Sequence, residues 1–98
     1  MSVSAPFNLN TIIQRNENNF LANSLGDETV MMDMDNGEYL GINSVGTDIW
    51  NLLQEPISVQ ELIKKMLDIY EVSEEECTAE INAFLSRMIK QNMLVVLK

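Results

Sequence analysis

The residues of this chain that could do covalent or metal chemistry are few, and each has a structural interpretation as well. Cys77 is the one cysteine, and the 98 residues contain no histidine. A Cys–His nucleophile and a zinc site are therefore disfavoured, and the commonest general base is missing. No glycine-rich phosphate-binding loop is present among the four glycines. We predict that the protein is not an enzyme and holds no cofactor or metal.

Cys77 and the acidic run Glu74–Glu76 lie at the predicted start of a helix. A helix N-terminus lowers a thiol pKa, but three adjacent glutamates raise it. We therefore favour Cys77 as a buried residue that pairs with Val72 across the helix start, over a reactive thiol. The glutamates fit the positive end of the helix dipole, and we favour that role over a cation site.

Methionine is the other unusual residue, with seven copies. Flexible thioethers suit an adaptable peptide-binding surface, but they also fill cores. Five of the seven lie in periodic apolar runs and are predicted to include core residues. For Met31, Met32 and Met34 both interpretations stay open. Trp50 lies in a helical apolar stripe and is predicted to be a core residue.

Composition excludes several classes of partner. Six basic and fifteen acidic residues give a net charge of −9, which argues against binding to nucleic acid or to an anionic membrane surface. No apolar run approaches the roughly 20 residues that span a bilayer. The first residues lack the basic and apolar blocks of a signal peptide. A single cysteine fits a reducing compartment. We expect a cytoplasmic protein with no nucleic-acid or membrane partner.

The clearest local signal is Asn36-Gly37, which predicts a type I′ hairpin turn. If these two residues form the turn, Met34 lies opposite Tyr39 and Met32 lies opposite Gly41. Side chains alternate along strands, so both faces of this hairpin are largely apolar. We expect something to cover each face.

The flanking segments predict a small mixed domain. Two further extended segments precede the hairpin, and with it they predict an antiparallel meander: Thr11–Arg15 and Phe20–Leu25. Three helices follow, capped by Asn43 or Ser44, by Ser58 and by Ser73. Asn92 is a candidate C-terminal cap, and residues 93–97 form a β-prone tail. We predict one domain over residues 1–98, with residues 1–10 as a candidate flexible arm.

The predicted fold class is α+β. It is winged helix-turn-helix-like, with a three-stranded antiparallel sheet followed by three helices and a candidate short C-terminal strand. A DNA-binding version needs a basic recognition helix. Here the third helix begins with glutamates and carries Arg87 and Lys90 only at its far end. We therefore accept this shape and reject DNA binding.

The strand Glu38–Ile42 has no following strand beside it in sequence, so one of its edges could be open. An open edge beside an apolar helix is what a peptide needs in order to add as an extra strand. The alternative is that the tail, residues 93–97, covers this edge. We favour the open edge.

Several segments together resemble one family. They are Thr29-Val30-Met31-Met32-Asp33, Gly37-Glu38-Tyr39-Leu40-Gly41-Ile42-Asn43-Ser44-Val45-Gly46, Ile49-Trp50-Asn51-Leu52-Leu53 and Ser58-Val59-Gln60-Glu61-Leu62. In order and spacing they resemble the PqqD-like family of precursor recognition elements, which serve ribosomally made, modified peptides (RiPPs). Within that family the chain is most similar to the stand-alone chaperones of lasso peptide biosynthesis.

The resemblance implies that the chain binds the leader segment of a precursor peptide and delivers it to a leader peptidase and a cyclase. The leader would add as a strand beside Glu38–Ile42 and lie against the third helix. Carried onto this sequence, the peptide-binding residues are Met32, Met34, Glu38, Tyr39, Leu40, Gly41, Ile42, Cys77, Glu80, Ile81, Phe84 and Met88. Met31 and Met32 replace branched aliphatic residues of the family, so the leader preference could differ.

Two other functions stay open from the sequence. The chain could be the recognition element of a radical SAM peptide-modifying enzyme, as in cofactor biosynthesis. It could instead be an acidic winged-helix interaction subunit that acts in transcription. Neighbouring genes would separate the first alternative from lasso peptide maturation, and indifference to any leader peptide would favour the second.

Overall fold

Six strands and three helices make up the part of the chain that this computed structural model describes, residues 8–18 and 20–97. In chain order they are β1 (Ile12–Arg15), β2 (Phe20–Leu25), β3 (Glu28–Asp33), β4 (Glu38–Ile42), α1 (Ser44–Leu52), β5 (Ile57–Ser58), α2 (Val59–Ile69), α3 (Glu74–Lys90) and β6 (Leu94–Val96). The predicted α+β class, with a three-stranded antiparallel sheet and three helices, is confirmed. Winged helix-turn-helix is only a loose description of it. Of the predicted arm, residues 1–10, the first seven lie outside the described residues.

The first sheet is the antiparallel meander β2-β3-β4. Leu25 pairs with Glu28 around a two-residue turn, in which Gly26 has a φ of 68°. That left-handed conformation favours glycine. The apolar side chains of β3 and β4 alternate between the two faces, and Met31 and Ile42 are buried against the helices.

The observed turn between β3 and β4 differs from the predicted type I′ turn. The strands close at Asp33 and Glu38, two positions from the predicted register, around a four-residue loop. The cause is the Asp33 carboxylate, which accepts hydrogen bonds from the Asp35 N–H at 2.9 Å and from the Asn36 side-chain amide at 2.9 Å. Only Gly37 in this loop has a positive φ, so the turn is not type I′.

This correction leaves the predicted faces intact. A one-residue slip would turn every side chain to the other face, but a two-residue shift does not. Met32 and Tyr39 still share the outer face with Val30 and Gly41, as predicted. Met34 moves from the strand into the loop.

A second sheet, with strand order β5-β1-β6, was not predicted. The segment predicted as the first strand of the meander is β1, and it pairs with strands far along the chain: Ile13 lies opposite both Ile57 and Val96. The predicted C-terminal strand therefore exists, but it does not cover β4. Nothing in the neighbourhood of residues 12–15 indicates such distant partners, so local sequence pattern could not find this sheet.

The helices begin where the sequence predicted. The N-caps are Asn43, Ser58 and Ser73, and their side chains accept from the backbone N–H groups of Gly46, Glu61 and Glu76 at 2.9, 3.0 and 3.1 Å. Each cap thus satisfies a donor that the first helical turn leaves free. Not one of the three helices in the described part of the chain has the length and apolar character needed to cross a membrane.

One core joins the two sheets and the helices. Trp50 and Cys77 are buried in it, as predicted. Met31, for which two interpretations were open, is also a buried core residue. Arg15 joins β1 to α1, since its guanidinium lies 4.9 Å from the Trp50 ring and donates to the Trp50 carbonyl. The side chains with the least exposure are Ile13, Met31, Ile49, Leu53, Leu62, Ile81, Leu85, Met88 and Met93.

Asn92 ends α3 as predicted. Its φ is 62°, the Asn92 N–H donates to the Ile89 carbonyl, and the Met93 N–H donates to the Met88 carbonyl at 2.8 Å. This is a Schellman motif, and the buried side chains of Met88 and Met93 supply its apolar contact.

Asn92→Ala should destabilise the domain by about 1 kcal/mol, whereas Asn92→Gly should leave it unchanged or slightly more stable. Alanine is strained in a left-handed conformation and glycine is not. Urea unfolding of the two variants measures the difference. Equal midpoints would mean that the left-handed cap is not formed.

Candidate functional site

The outer edge of β4 is open in the part of the chain that the structure describes. β4 pairs with β3 on one side, and none of the other five described strands pairs with it on the other. The alternative that the C-terminal tail covers this edge is wrong, because that tail pairs with β1. An unpaired edge offers backbone N–H and C=O groups to another strand.

The hairpin loop shows which groups of β4 face inward. The Gly37 N–H donates to the Asp33 carbonyl at 2.7 Å, so the backbone polar groups of Asp33 point towards β4. These groups alternate sides along a strand, so those of Met31 also point towards β4. Leu40 is the partner of Met31 in the register, and its N–H and C=O point back to β3.

Tyr39 and Gly41 alternate with those inward-facing residues. Their N–H and C=O groups therefore point away from β3, towards the open edge. A Cβ added at Gly41 would meet nothing within 4 Å, so the outer face of the sheet is open at this residue.

Two hollows lie along α3 near β4, one between the start of α1 and α3, and one between the end of α3 and the first sheet. The Phe84 hollow is lined by Asn43, Val45, Gly46, Ile49, Ala79, Glu80, Ala83, Phe84 and Arg87. The Gln91 hollow is lined by Phe20, Met31, Asp33, Glu38, Tyr39, Leu40, Gln91 and Met93. Arg87 and Gln91 are one helical turn apart, so both hollows follow one face of α3. We call the edge and these two hollows together the β4–α3 groove.

Gly46 sets the depth of the Phe84 hollow. A Cβ at this position would lie 2.5 Å from Ile42 Cγ2 and 2.8 Å from Phe84 Cε1. Only glycine lets the Phe84 ring lie so close to the start of α1. The backbone at the start of α1 therefore packs closely against α3.

A third hollow, the Tyr70 hollow, adjoins the Phe84 hollow and shares Val45 and Glu80 with it. Its lining is mainly apolar, from Val45, Met66, Tyr70, Val72, Cys77 and Ile81, with Glu76 and Glu80 at its rim. The Tyr70 hydroxyl donates to Asp48 Oδ2 at 2.5 Å, and this bond, followed by burial, raises the Tyr70 pKa.

Cys77 does not have the environment of a reactive thiol. Burial raises the pKa of the Cys77 thiol, and the nearby Glu80 and Glu74 carboxylates raise it further. The thiol is therefore protonated near neutral pH and lies within the core. Among residues 8–18 and 20–97, no group of three His, Cys, Asp or Glu side chains could hold a metal ion.

The twelve residues predicted to contact a peptide fall into three groups. Five line the hollows of the β4–α3 groove and are exposed or half-buried: Glu38, Tyr39, Leu40, Glu80 and Phe84. Four have buried side chains that belong to the core: Ile42, Cys77, Ile81 and Met88. Three lie outside the hollows: Gly41 on the edge itself, Met32 on the outer face of the sheet, and Met34 in the exposed hairpin loop.

The sequence reasoning missed Arg87 and Gln91 as groove residues. Arg87 follows Phe84 by three positions and Glu80 by seven, and these spacings put all three side chains on one face of a helix. That periodicity is present in the sequence, but a cation near a helix C-terminus has a simpler interpretation, as a partner of the helix dipole. Gln91 has no comparable signal, because it is the C-cap that follows the last helical residue, Lys90.

Gly46→Ala should destabilise the domain by about 1–3 kcal/mol, although alanine is the better helix former, because the added methyl group overpacks Ile42 and Phe84. Gly41→Ala is the matched control and should have little effect. Urea unfolding measures both. A neutral Gly46→Ala would contradict the close contact with Phe84.

The domain should lose stability in alkaline solution. Folding raises the pKa of Cys77 above its ordinary 9.0 and that of Tyr70 above its ordinary 10.0, so the folded state holds these protons more tightly than the unfolded state. Their contribution is complete below the ordinary pKa values and is lost as pH rises through the raised ones. Urea midpoints from pH 7.5 to 10.5 should fall above about pH 9.

Cys77→Ala and Tyr70→Phe serve as the controls for that measurement. Each variant should flatten its own part of the alkaline decline, even if its stability at neutral pH changes. A decline of the same size in the double variant would assign the effect to other groups.

Comparison with known proteins adds two findings. The family model described as Coenzyme PQQ synthesis protein D (PqqD) matches residues 28–94. The structure of TbiB1 in complex with the TbiA(beta) leader peptide is similar, with a TM-score of 0.74 and 23% sequence identity, over 83% of this chain and 93% of that chain. A search of the curated proteins gave no match. The structural similarity shows a shared fold, and because the family model matches about two thirds of the residues, the chain belongs to the PqqD family.

Proposed function

We propose that this protein binds an extended segment of another polypeptide as an extra strand at the open edge of β4. The observation that carries the proposal is the pair Tyr39 and Gly41, whose backbone groups face away from β3 on a strand that lines the Gln91 hollow. Strand addition combines backbone hydrogen bonds with side-chain pockets for alternate residues. The β4–α3 groove offers both.

The ligand that we propose is the leader segment of a ribosomally synthesised precursor peptide. Two comparisons support it: membership of the PqqD family, and the similar fold of TbiB1, which was solved with a leader peptide bound. The motif resemblance to lasso peptide chaperones supports a lasso precursor. In this proposal the chain does no catalysis itself and delivers the leader to a leader peptidase and a cyclase.

The predicted contact residues have different roles in this proposal. Tyr39 and Gly41 supply the backbone partners, while Phe84 and Glu80 form the α3 wall together with Arg87. The four buried residues contribute by fixing the positions of β4 and α3. They are Ile42, Cys77, Ile81 and Met88. Met32 and Met34 are proposed as contacts for the part of the leader that passes the outer face and the hairpin loop.

A second candidate is recognition for a different maturation enzyme, such as a radical SAM protein. The description of the matching family, coenzyme PQQ synthesis, favours this possibility. Both candidates use the same groove and differ in the partner enzyme. Co-purification of the chain with the enzyme encoded beside it distinguishes a leader peptidase from a radical SAM protein.

Gly41→Pro should weaken leader binding by at least about tenfold without unfolding the domain. Proline removes the N–H that faces the open edge and leaves the hydrogen bonds to β3 in place, and proline is tolerated at such edge positions. The measurement is fluorescence anisotropy with the labelled leader peptide of the precursor encoded beside this chain.

Gly41→Ala keeps the N–H and should bind as the wild type does. Circular dichroism and urea unfolding check that both variants are folded. Wild-type affinity in a folded Gly41→Pro protein would disprove strand addition at β4. Absence of binding by the wild-type chain would disprove the leader role itself.

A further inference from the structure

We propose that the β4–α3 groove selects its peptide by charge. The peptide carries an acidic side chain against Arg87 and a basic side chain towards Glu38, two or four positions apart. This inference rests on the proposed function, because it concerns the ligand of the same groove. It adds a specificity determinant, Arg87, and a chemical class of ligand.

Arg87 is the first part of the argument. It lines the Phe84 hollow and is exposed there. In the described part of the chain the one ion pair joins Arg15 to Glu17, at 2.6 Å, so Arg87 has no carboxylate partner among these residues. A guanidinium that lines the same hollow as an apolar ring is well suited to bind a carboxylate through two hydrogen bonds.

The other described basic residues are placed differently. Arg15 is held by Glu17 and by the Trp50 ring. Lys64 and Lys65 are on α2, and Lys90 is on α3 outside the lining of both hollows. Arg87 is therefore the only basic side chain from the described residues that lines the groove, in a chain of net charge −9.

Glu38 supplies the opposite charge at the other end of the groove. It is exposed at the start of β4 and lines the Gln91 hollow together with Asp33. The Asp33 carboxylate accepts hydrogen bonds from Asp35 and Asn36 in the hairpin loop, so Glu38 is the freer of the two. This end of the groove favours a cationic side chain and disfavours an acidic one.

The spacing follows from the geometry of the two elements. Gln91 lines the same hollow as Glu38, and about one turn of α3, roughly 6 Å along the helix axis, separates Gln91 from Arg87. In an added strand, side chains on one face recur every two residues, or about 6.6–6.8 Å. Charges that face Arg87 and Glu38 from one face of such a strand are therefore an even number of residues apart, and separations of two or four residues cover about 7 or 13 Å.

A displayed library of random 12-residue peptides, free of any assumed leader, tests this order of charges. It is sorted separately on the wild type, Arg87→Glu, Glu38→Lys, Lys90→Glu and Gly41→Pro. Lys90→Glu makes the same charge change as Arg87→Glu on the same helix but outside the hollows. Circular dichroism checks the fold of every variant before sorting.

On the wild type, we expect selected peptides to be enriched in Asp or Glu at one position and in Lys or Arg two or four positions away. Arg87→Glu should convert the acidic preference into a basic one and leave the other position unchanged. Glu38→Lys should convert the basic preference alone. Resynthesised wild-type binders should lose about five- to tenfold in affinity towards Arg87→Glu.

The outcomes separate this inference from the proposed function. An unchanged acidic preference on Arg87→Glu, or the same change on Lys90→Glu, overturns the charge selection while strand binding stands. Wild-type binders without any charge preference overturn it as well. No selected peptides on the wild type, or identical binders on Gly41→Pro, would overturn the proposed function and this inference together.

Discussion

The pairing of β1 with both β5 and β6 is the constraint from which the rest of the architecture follows. A strand has two edges, and those of β1 are filled by Ile57–Ser58 and by the C-terminal strand. The C-terminal strand is thereby held at the second sheet. Because it is held there, it does not complete the first sheet, and β4 keeps an edge that no described strand covers.

An open strand edge can pair with the wrong chains and cause aggregation, as well as bind a ligand. The edge of β4 has few features that prevent such pairing. Glu38 is the only charged residue of β4, and Tyr39 beside it is highly exposed. The short length of β4 and the helix α3 beside it limit what can pair there. A partner must fit between strand and helix, so the second element turns a general pairing edge into a selective one.

The backbone of β4 cannot supply useful affinity alone. Two outward-facing residues give at most four hydrogen bonds, and each contributes about 0.5–1.5 kcal/mol net. Micromolar binding needs about 8 kcal/mol, in addition to the cost of ordering the peptide. The remaining free energy has to come from side chains in the hollows beside α3, which is why the residues that line them matter more than the edge.

Local patterns predicted those features that a few neighbouring residues determine. The caps at Ser58, Ser73 and Asn92 were correct because each depends on one side chain or one backbone conformation. The predicted hairpin register was wrong because hydrogen bonds to the Asp33 carboxylate stabilise a different turn from the predicted Asn36-Gly37 turn. Sequence pattern alone does not show which of the two turns is more stable. The predicted faces of the hairpin were right because a register shift of two residues keeps every side chain on the same face.

Local sequence pattern could not predict the second sheet, or which residues of the site are exposed. A strand's distant partners depend on how the whole core assembles, as the position of Ile13 between Ile57 and Val96 shows. Apolar periodicity on α3 cannot separate a groove wall from the core. Cys77, Ile81 and Met88 are buried, while Phe84 on the same helix is half-buried, with its ring against Gly46 at the start of α1.

The position of β1 also fixes an order of events during synthesis. Its partners Ile57 and Val96 lie 44 and 83 positions after Ile13, whereas β2, β3 and β4 are joined by short turns. Contacts between distant residues form slowly, because a long loop must close first. The meander can form as soon as it leaves the ribosome, whereas the second sheet is complete only after residue 96 has emerged. A nascent chain therefore exposes the β4 edge before the core beneath it is complete.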